Sequence, residues 1–412
     1  MTALSNYDFA MDSTLIATHP LSPKSEAKLL VYDRTRDKIT HTTFAKLWDF
    51  IPKDCLIVLN DTKVLPARIF GRKLSGGRIE FLYHKYLGEG RVLGQIKGRV
   101  KVGEEINIGE NIFLRVSEVR EDGLRVVKFM ESRNPQNPAQ NPHDLGHNPQ
   151  NPESKLAESH TQNANPQNPQ NPRILGENEV VDFLQKEGAM PLPPYIKRQS
   201  TKSDTKDYQS VFAKNIGSIA APTASLHFGD DDLDKLRKHA HCFITLHIGA
   251  GTFFGVEAED IRAHKMHSES FFVSAESMSA IMDAKKILCV GTTATRCVEF
   301  LAQNLTQNPQ NPQSLAQNPP QNLTQNPQNP QSLAQNLTQN PQGFSGECDI
   351  FINPLNPPIK TSHLLTNFHL PKSTLIMLVA GFIGVEKMRE IYQIAQNLKY
   401  RFYSYGDGML IL

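Results

Sequence analysis

The 412-residue sequence has one tryptophan, five cysteines and a net charge of only +2. The cysteines, Cys55, Cys242, Cys289, Cys297 and Cys348, are scattered and odd in number, with no C-x-x-C pair. That argues against a disulfide framework or a paired-thiolate zinc site. Four of them sit in apolar runs, so reduced, mostly buried thiols of a cytosolic protein are expected. The lack of charge excess removes bulk electrostatics as a sign of nucleic-acid binding and leaves room only for a local basic patch. Long hydrophobic runs are missing too. The longest near the C-terminus, "TLIMLVAGFIGV" (374–385), is too short to cross about 30 Å of hydrocarbon and is expected as a core helix. The opening "MTALSNYDFAMDS" is polar and acidic, unlike a secretory leader. A soluble, cytoplasmic protein without membrane contact is expected. No G-x-S-x-G elbow occurs, which argues against a covalent serine mechanism.

Asn, Gln and Pro, by contrast, are concentrated in two stretches, 134–172 and 303–342, with units such as "NPQNPQNP" and "QNLTQNPQNPQSLAQN". They have almost no apolar side chains with which to offset the entropy of ordering, so disordered surface insertions are expected. Their polar, short-period repeat does not suit a solenoid. The remaining length suits one large and one small domain.

"CLIVLN" (55–60) reads as a buried strand running into a turn. From Arg68, short segments such as "RIFGRKL", "GRIEFLYHKY", "RVLGQIKG" and "NIFLRVSEV" follow one another, punctuated by Gly, Asn or Asp. That texture predicts a small antiparallel β-barrel. After Arg173 helices and strands alternate. Helices are expected at 178–188, 230–240, 274–286, 292–302, 374–384 and 386–398, and strands at 242–248, 287–291, 348–352 and 361–365. The reading is a large mixed α/β domain with a small inserted antiparallel β-barrel. It assigns 1–66 and 174–412 to the α/β domain and 67–173 to the barrel.

"HKMHSE" places His264, His267 and Glu269 within six positions. If the segment is extended, Lys265, His267 and Glu269 share a face and His264 points away. If it is a helical turn, His264 and His267 share one. H-x-x-H-x-E is not the H-E-x-x-H zinc spacing, so no metal is expected here. Organic acid–base work suits His near its working pH, and a plain polar rim remains open. "HIGAGTF" (247–253) has Gly249 and Gly251, which allow close backbone approach to a ligand or serve a plain turn. Phe253 and Phe254 could cover a cation or simply fill core. "VGTTATR" (290–296) offers Thr292 and Thr293 as helix caps beside N–H groups able to hold a carboxylate or phosphate. "AAPTASLHF" (220–228) and "TNFHLPKST" (366–374) each set a histidine, His227 and His369, beside hydroxyl residues.

Singly these motifs are weak. In this order, with "LIATHPL" (15–21), "VLNDTKVLPARIFGRK" (58–73), "MPLPPYIKR" (190–198), "TNFHLPKSTLIMLV" (366–379) and "YRFYSYGDGMLI" (400–411), the chain closely resembles the S-adenosylmethionine:tRNA ribosyltransferase-isomerase family. The resemblance runs end to end and skips only the two insertions. It implies an enzyme that moves the ribosyl part of S-adenosylmethionine to 7-aminomethyl-7-deazaguanine at the tRNA wobble position and isomerises it. The implied product is epoxyqueuosine, with adenine and methionine released. S-adenosylmethionine would then be a consumed substrate, with no further cofactor, and a monomer is expected. On that chemistry His264, His267 and Glu269 are the first candidates for proton transfer, with His227 and His369 behind them. Gly249, Gly251 and Thr252 would lie near the nucleoside. Thr292, Thr293 and Arg296 could hold the methionine carboxylate, and Lys197 and Lys372 could meet tRNA phosphate or donor. Two departures from the family pattern stand out: Ser225 replaces a usual glycine, and "LNPPIK" (355–360) replaces a Pro-Gly-aromatic continuation. The rival readings are a metal-dependent hydrolase on His264 and His267, a methyltransferase, and a non-catalytic RNA-binding protein using Arg68, Arg72, Lys73 and Arg78 of the barrel.

Overall fold

The computed structural model describes residues 1–132, 172–253, 255–306 and 342–412. The Asn/Gln/Pro-rich insertions fall almost wholly outside the described residues, as does Phe254. The chain forms two compact units, one of residues 1–65 with 190–412 and one of residues 66–189.

The larger unit begins with strands β1 (Lys28–Asp33) and β2 (Lys38–Thr43), the short helix α1 (Leu47–Phe50), and strands β3 (Leu56–Asn60) and β4 (Thr62–Val64). The smaller unit follows with β5 (Arg68–Lys73), β6 (Arg78–Gly88), β7 (Arg91–Lys97), β8 (Glu105–Asn107), β9 (Ile112–Val119), β10 (Arg125–Glu131), β11 (Arg173–Ile174) and helix α2 (Glu177–Glu187). The larger unit resumes with α3 (Asp204–Asp207), β12 (Asn215–Ser218), α4 (Asp230–Leu236), β13 (His241–Leu246), β14 (Glu269–Val273), α5 (Ala275–Asp283), β15 (Ile287–Val290) and α6 (Thr292–Thr306). It ends with β16 (Phe344–Cys348), β17 (His363–Asn367), α7 (Thr374–Ile383), α8 (Val385–Asn397) and β18 (Gly408–Ile411).

Nine strands make the main sheet, in the order β16-β14-β13-β3-β15-β17-β18-β1-β2. Its centre, β13-β3-β15-β17, is parallel, and both faces are covered, so β3 and β15 are buried at every position. That is why these two strands read as unbroken apolar runs. α7 is the core helix the apolar run predicted. Ser373 caps it, accepting from the Ile376 N–H, and Ile376, Met377, Leu378, Val379 and Phe382 are all buried. Each such side chain contributes about 1.5–3 kcal/mol.

The smaller unit is a six-stranded barrel, β10-β7-β6-β5-β8-β9, closed by the β9–β10 pairing. Ile69, Ile79, Phe81, Ile96, Ile106 and Leu114 fill it, alternating with outward polar residues. The unit extends beyond the expected 173 to Ala189. α2, expected in the α/β domain, belongs here because its Phe183 packs on Phe129 of β10. α2 also starts earlier than predicted, with Glu179 accepting from the Gly176 N–H rather than an Asn178 cap. The strand expected at 348–352 lies at 344–348 instead. There it pairs antiparallel with β14, while Ile350 and Ile352 are buried outside any ladder.

Candidate active site

The parallel strands β13, β15 and β17 all deliver loops to one cavity at their C-terminal ends. Its wall includes Ile248 and Thr252 after β13, Gly291, Thr292 and Thr293 after β15, and Thr366, Asn367, His369, Leu370 and Ser373 at the end of β17 and beyond it. Open α/β sheets bind ligands at this edge because strand ends leave a crevice between diverging loops. The 220–224 segment and the tyrosines Tyr195, Tyr208 and Tyr403 close the other side.

Gly291 ends β15 with φ of +91°, a left-handed turn that favours glycine, and α6 starts at the next residue. The first N–H groups of a 15-residue helix therefore meet the cavity between Thr292 and Thr293, a setting that suits a carboxylate. Asn60 fixes this corner. Its Nδ2 donates to Thr293 Oγ1 (3.2 Å) and to the Leu246 carbonyl (3.0 Å), and its Oδ1 accepts from the Leu246 and Thr62 N–H groups.

Arg296, one turn further into α6, does not line the cavity. It is buried and its guanidinium is occupied within the protein, donating to Glu269 Oε2, the Cys348 carbonyl (3.1 Å) and the Ile350 carbonyl (3.3 Å). Glu269 in turn accepts the Gly249 N–H at 3.0 Å. The pair thus ties β14, α6 and the glycine loop together. Burial opposes the Arg296 charge, but Glu269 together with Cys348 and Asp349 outweighs it and holds the guanidinium pKa above its ordinary value.

"HKMHSE" is neither helix nor strand until Glu269, the first residue of β14. His264 is half-buried edge-on to Phe351 (5.4 Å between centroids), and burial lowers its pKa. His267 is exposed and lies directly over Gly251, where a Cβ would meet its ring at 2.4 Å. Gly251 therefore needs to lack a side chain for His267 to sit beside the Thr252 rim. Gly249 has open space above its Cα.

His369 lines the cavity and is buried, with ring Nε2 and Thr366 Oγ1 sharing a 2.7 Å hydrogen bond and its backbone N–H donating to the Tyr392 hydroxyl. Burial pushes its pKa down to about 3, so the ring is neutral at physiological pH. His227 stands one layer behind. It stacks on Phe44 (4.0 Å, 16°), and its Nε2 accepts from Asn367 Nδ2 at 3.2 Å. Thr223 donates to Asn367 Oδ1 at 2.8 Å, so the cavity-lining amide is fixed from both ends. Burial, with Arg401 and Lys24 nearby, lowers His227 to about 3.

Sequence reasoning missed the tyrosine wall. Tyr195 packs against Tyr403 (4.6 Å) and shares a 2.5 Å hydrogen bond with Ser404. Tyr208 is fully buried and lines the cavity, yet its hydroxyl closes no hydrogen bond, although Ser404 and the Ala221 backbone are polar neighbours. Asp204 locks this wall: burial pushes its carboxyl up, but two bonds from Arg198 (2.7 Å each), two from Thr201 (2.7 and 3.1 Å) and one from Tyr405 (3.0 Å) hold it well below the ordinary range. The quoted "MPLPPYIKR" and "YRFYSYGDGMLI" contain Tyr195 and Tyr403, Tyr208 lies in neither, and nothing in the spacing of the three shows that they meet.

Lys372, with φ of +56°, pairs with Asp8 at 2.8 Å, and Lys197 is exposed. Ser225 is fully buried with no partner for its hydroxyl. The "LNPPIK" departure is held by Glu299, which accepts the N–H groups of Ile359, Lys360 and Thr361. Among the described residues, no three of His, Cys, Asp and Glu converge in a way that could hold a metal ion, and no helix is long and apolar enough to cross a membrane.

Comparison with known proteins places this arrangement. A family model described as "Queuosine biosynthesis protein" matches residues 4–411. A relative from Campylobacter jejuni (serotype O:23/36, strain 81-176), named S-adenosylmethionine:tRNA ribosyltransferase-isomerase, is 44% identical over 99% of this chain and 98% of its own. A Helicobacter pylori (strain G27) relative of the same name is 42% identical over 99% of both. A solved structure, an S-adenosylmethionine tRNA ribosyltransferase from Thermotoga maritima, aligns over 99% of this chain and 100% of its own at 24% identity and a TM-score of 0.45. A match that spans both units and nearly every described residue leaves one assignment: the chain belongs to the queuosine biosynthesis family of S-adenosylmethionine:tRNA ribosyltransferase-isomerases.

Proposed function

We propose that this enzyme transfers and isomerises the ribosyl moiety of S-adenosylmethionine onto 7-aminomethyl-7-deazaguanine at the wobble position of tRNA. The product is epoxyqueuosine, and adenine and methionine leave. The reading rests on one observation beside the relatives: the cavity joins a helix N-terminus, neutral histidine and an aromatic wall at one sheet edge. The sulfonium acidifies the adjacent C5′ hydrogens. A base removes one, the aminomethyl nitrogen attacks the sugar, and adenine departs. His267 and His369 move the protons; in support, His369 lines the cavity and His267 packs on Gly251, next to the cavity-lining Thr252. The N–H groups at Thr292 and Thr293 receive the methionine carboxylate. Glu269, Arg296 and His227 are positioning residues, because their polar atoms are engaged in holding Gly249 and Asn367. Tyr195 and Tyr403 present ring faces to the sulfonium. Lys197 and Lys372 meet tRNA phosphate or donor. The enzyme works in the cytoplasm as a monomer, without a cofactor or metal, and its Asn/Gln/Pro-rich insertions take no part in the chemistry.

The test is incubation with S-adenosylmethionine and tRNA bearing the deazaguanine, with adenine and methionine read by mass spectrometry. Absence of both refutes the reading. In single turnover, His267→Ala slows adenine release by about 10²-fold, the ordinary weight of one acid–base group. An unchanged rate removes His267 from the chemistry.

A further inference from the structure

We infer that one end of the barrel, the β5–β6 hairpin with the loop after β7, is an RNA-phosphate docking surface. This rests on tRNA being the acceptor. Register sets Arg72 of β5 directly opposite Arg78 of β6, and both are exposed. Like charges facing across a ladder are destabilising, so this pair costs the free barrel stability. Lys97 of β7 lies opposite Glu80, next along β6 on the same face. The loop that follows adds Arg99 and Lys101. It is pinned to the hairpin, with Lys73 Nζ donating to the Arg99 carbonyl and a Cβ on Gly98 meeting Ile79 at 2.6 Å.

Carboxylates at this end are already taken. Glu80 faces Arg68 at 3.4 Å, and Glu104 holds Lys73 at 2.9 Å and the Lys101 N–H. Among the described residues, Arg72, Arg78, Lys97 and Arg99 form no ion pair, Lys101 has only Glu104, which Lys73 already holds, and all five cations are exposed. Elsewhere on the barrel Arg115 is neutralised by Glu105 at 2.6 Å and Arg173 by Glu131 and Glu179, and Arg125 is folded back onto the Gly123 and Leu124 carbonyls. The excess of cations is therefore local, on a chain whose net charge is only +2. Two residues from Arg72 on the same outward face, Phe70 is 57% exposed. An exposed ring among unpaired arginines offers a base-stacking platform beside phosphate contacts. An anionic lipid surface could also take an exposed ring beside cations; the family's tRNA acceptor decides for RNA.

The test uses the full-length enzyme, substrate tRNA, and the double variant Arg72→Ala/Arg78→Ala, with Phe70→Ala beside it. We expect about tenfold weaker tRNA binding for the double variant at low salt. The slope of log affinity against log salt should shrink by about 1.4–1.8 for two lost phosphate contacts. S-adenosylmethionine affinity stays constant, and Tm is unchanged or higher because the like-charge pair is gone. Phe70→Ala weakens tRNA binding with the salt slope intact. Unchanged tRNA affinity and slope in the double variant overturns the inference. So does wild-type binding to phosphatidylserine vesicles that the double variant loses while its tRNA affinity holds. A wild type that releases no adenine instead refutes the proposed function, a result distinct from either.

Discussion

Tyr208, like Ser225, carries a burden that most buried hydroxyls do not. A buried hydroxyl without a well-formed hydrogen bond costs about 1–3 kcal/mol, and this one, on the cavity wall, has only the Ser404 hydroxyl and the Ala221 backbone near it, neither in bonding geometry. Burial also drives the phenol pKa well above its ordinary value, so it is a donor in waiting and not a base. Tyr208→Phe is therefore expected to leave the Tm of the free enzyme unchanged or raise it. The same change should weaken S-adenosylmethionine binding about threefold to tenfold, the worth of one hydrogen bond. Thermal melts with and without the donor check both signs at once; a lower Tm with unchanged affinity makes the hydroxyl structural. Glu269 and Arg296 illustrate the opposite case. Both were read from the sequence as chemical groups, and both use their polar atoms on one another and on backbone. Nothing in "HKMHSE" or "VGTTATR" announces that pairing, because it is made across 27 residues by strand and helix placement.

Whole elements were more legible than their ends. β3, β15, α6 and α7 follow from apolar runs and caps, since their burial is set by side chains within the segment. The β1–β2 hairpin was not read. β2 is half-exposed, "KITHTT", and has its place only because β1 pairs with it on the sheet edge. Likewise β16 is placed by β14, which is why its position differed from the apolar "CDIFI". The loop after β13 joins element to chemistry. Gly251→Ala would drive a Cβ into the His267 ring at 2.4 Å, without the backbone strain of a positive-φ site. The expected outcome is a fall of about 10²-fold in kcat, the cost of misplacing a reacting group by about an ångström. Tm should move little, because His267 is at the exposed rim. Steady-state adenine release beside a melting curve checks this, and unchanged kcat places His267 outside the reaction.

At the scale of the molecule, burial of histidines links stability to pH. His227 and His369 sit at about 3 in the native state against 6.5 when free. Between those values the unfolded chain binds protons that the native chain refuses. Stability is therefore full above about pH 6.5 and falls as pH drops through the window, by about 1.4 kcal/mol per pH unit for each ring. Denaturant unfolding at pH 7 and pH 5 should show this loss, and His227→Asn should make it shallower; an equal slope in the variant contradicts the assignment. The sequence by itself determined the α/β unit with an inserted barrel, the family, and the loops that form the cavity, because each depends on local pattern and motif order. Only the tertiary structure decided which side chains line the cavity. Whether a tyrosine hydroxyl is satisfied, a glutamate is engaged by an arginine, or two arginines stand opposed depends on neighbours distant in the chain. Such contacts are set by packing and register, which no short stretch of sequence contains.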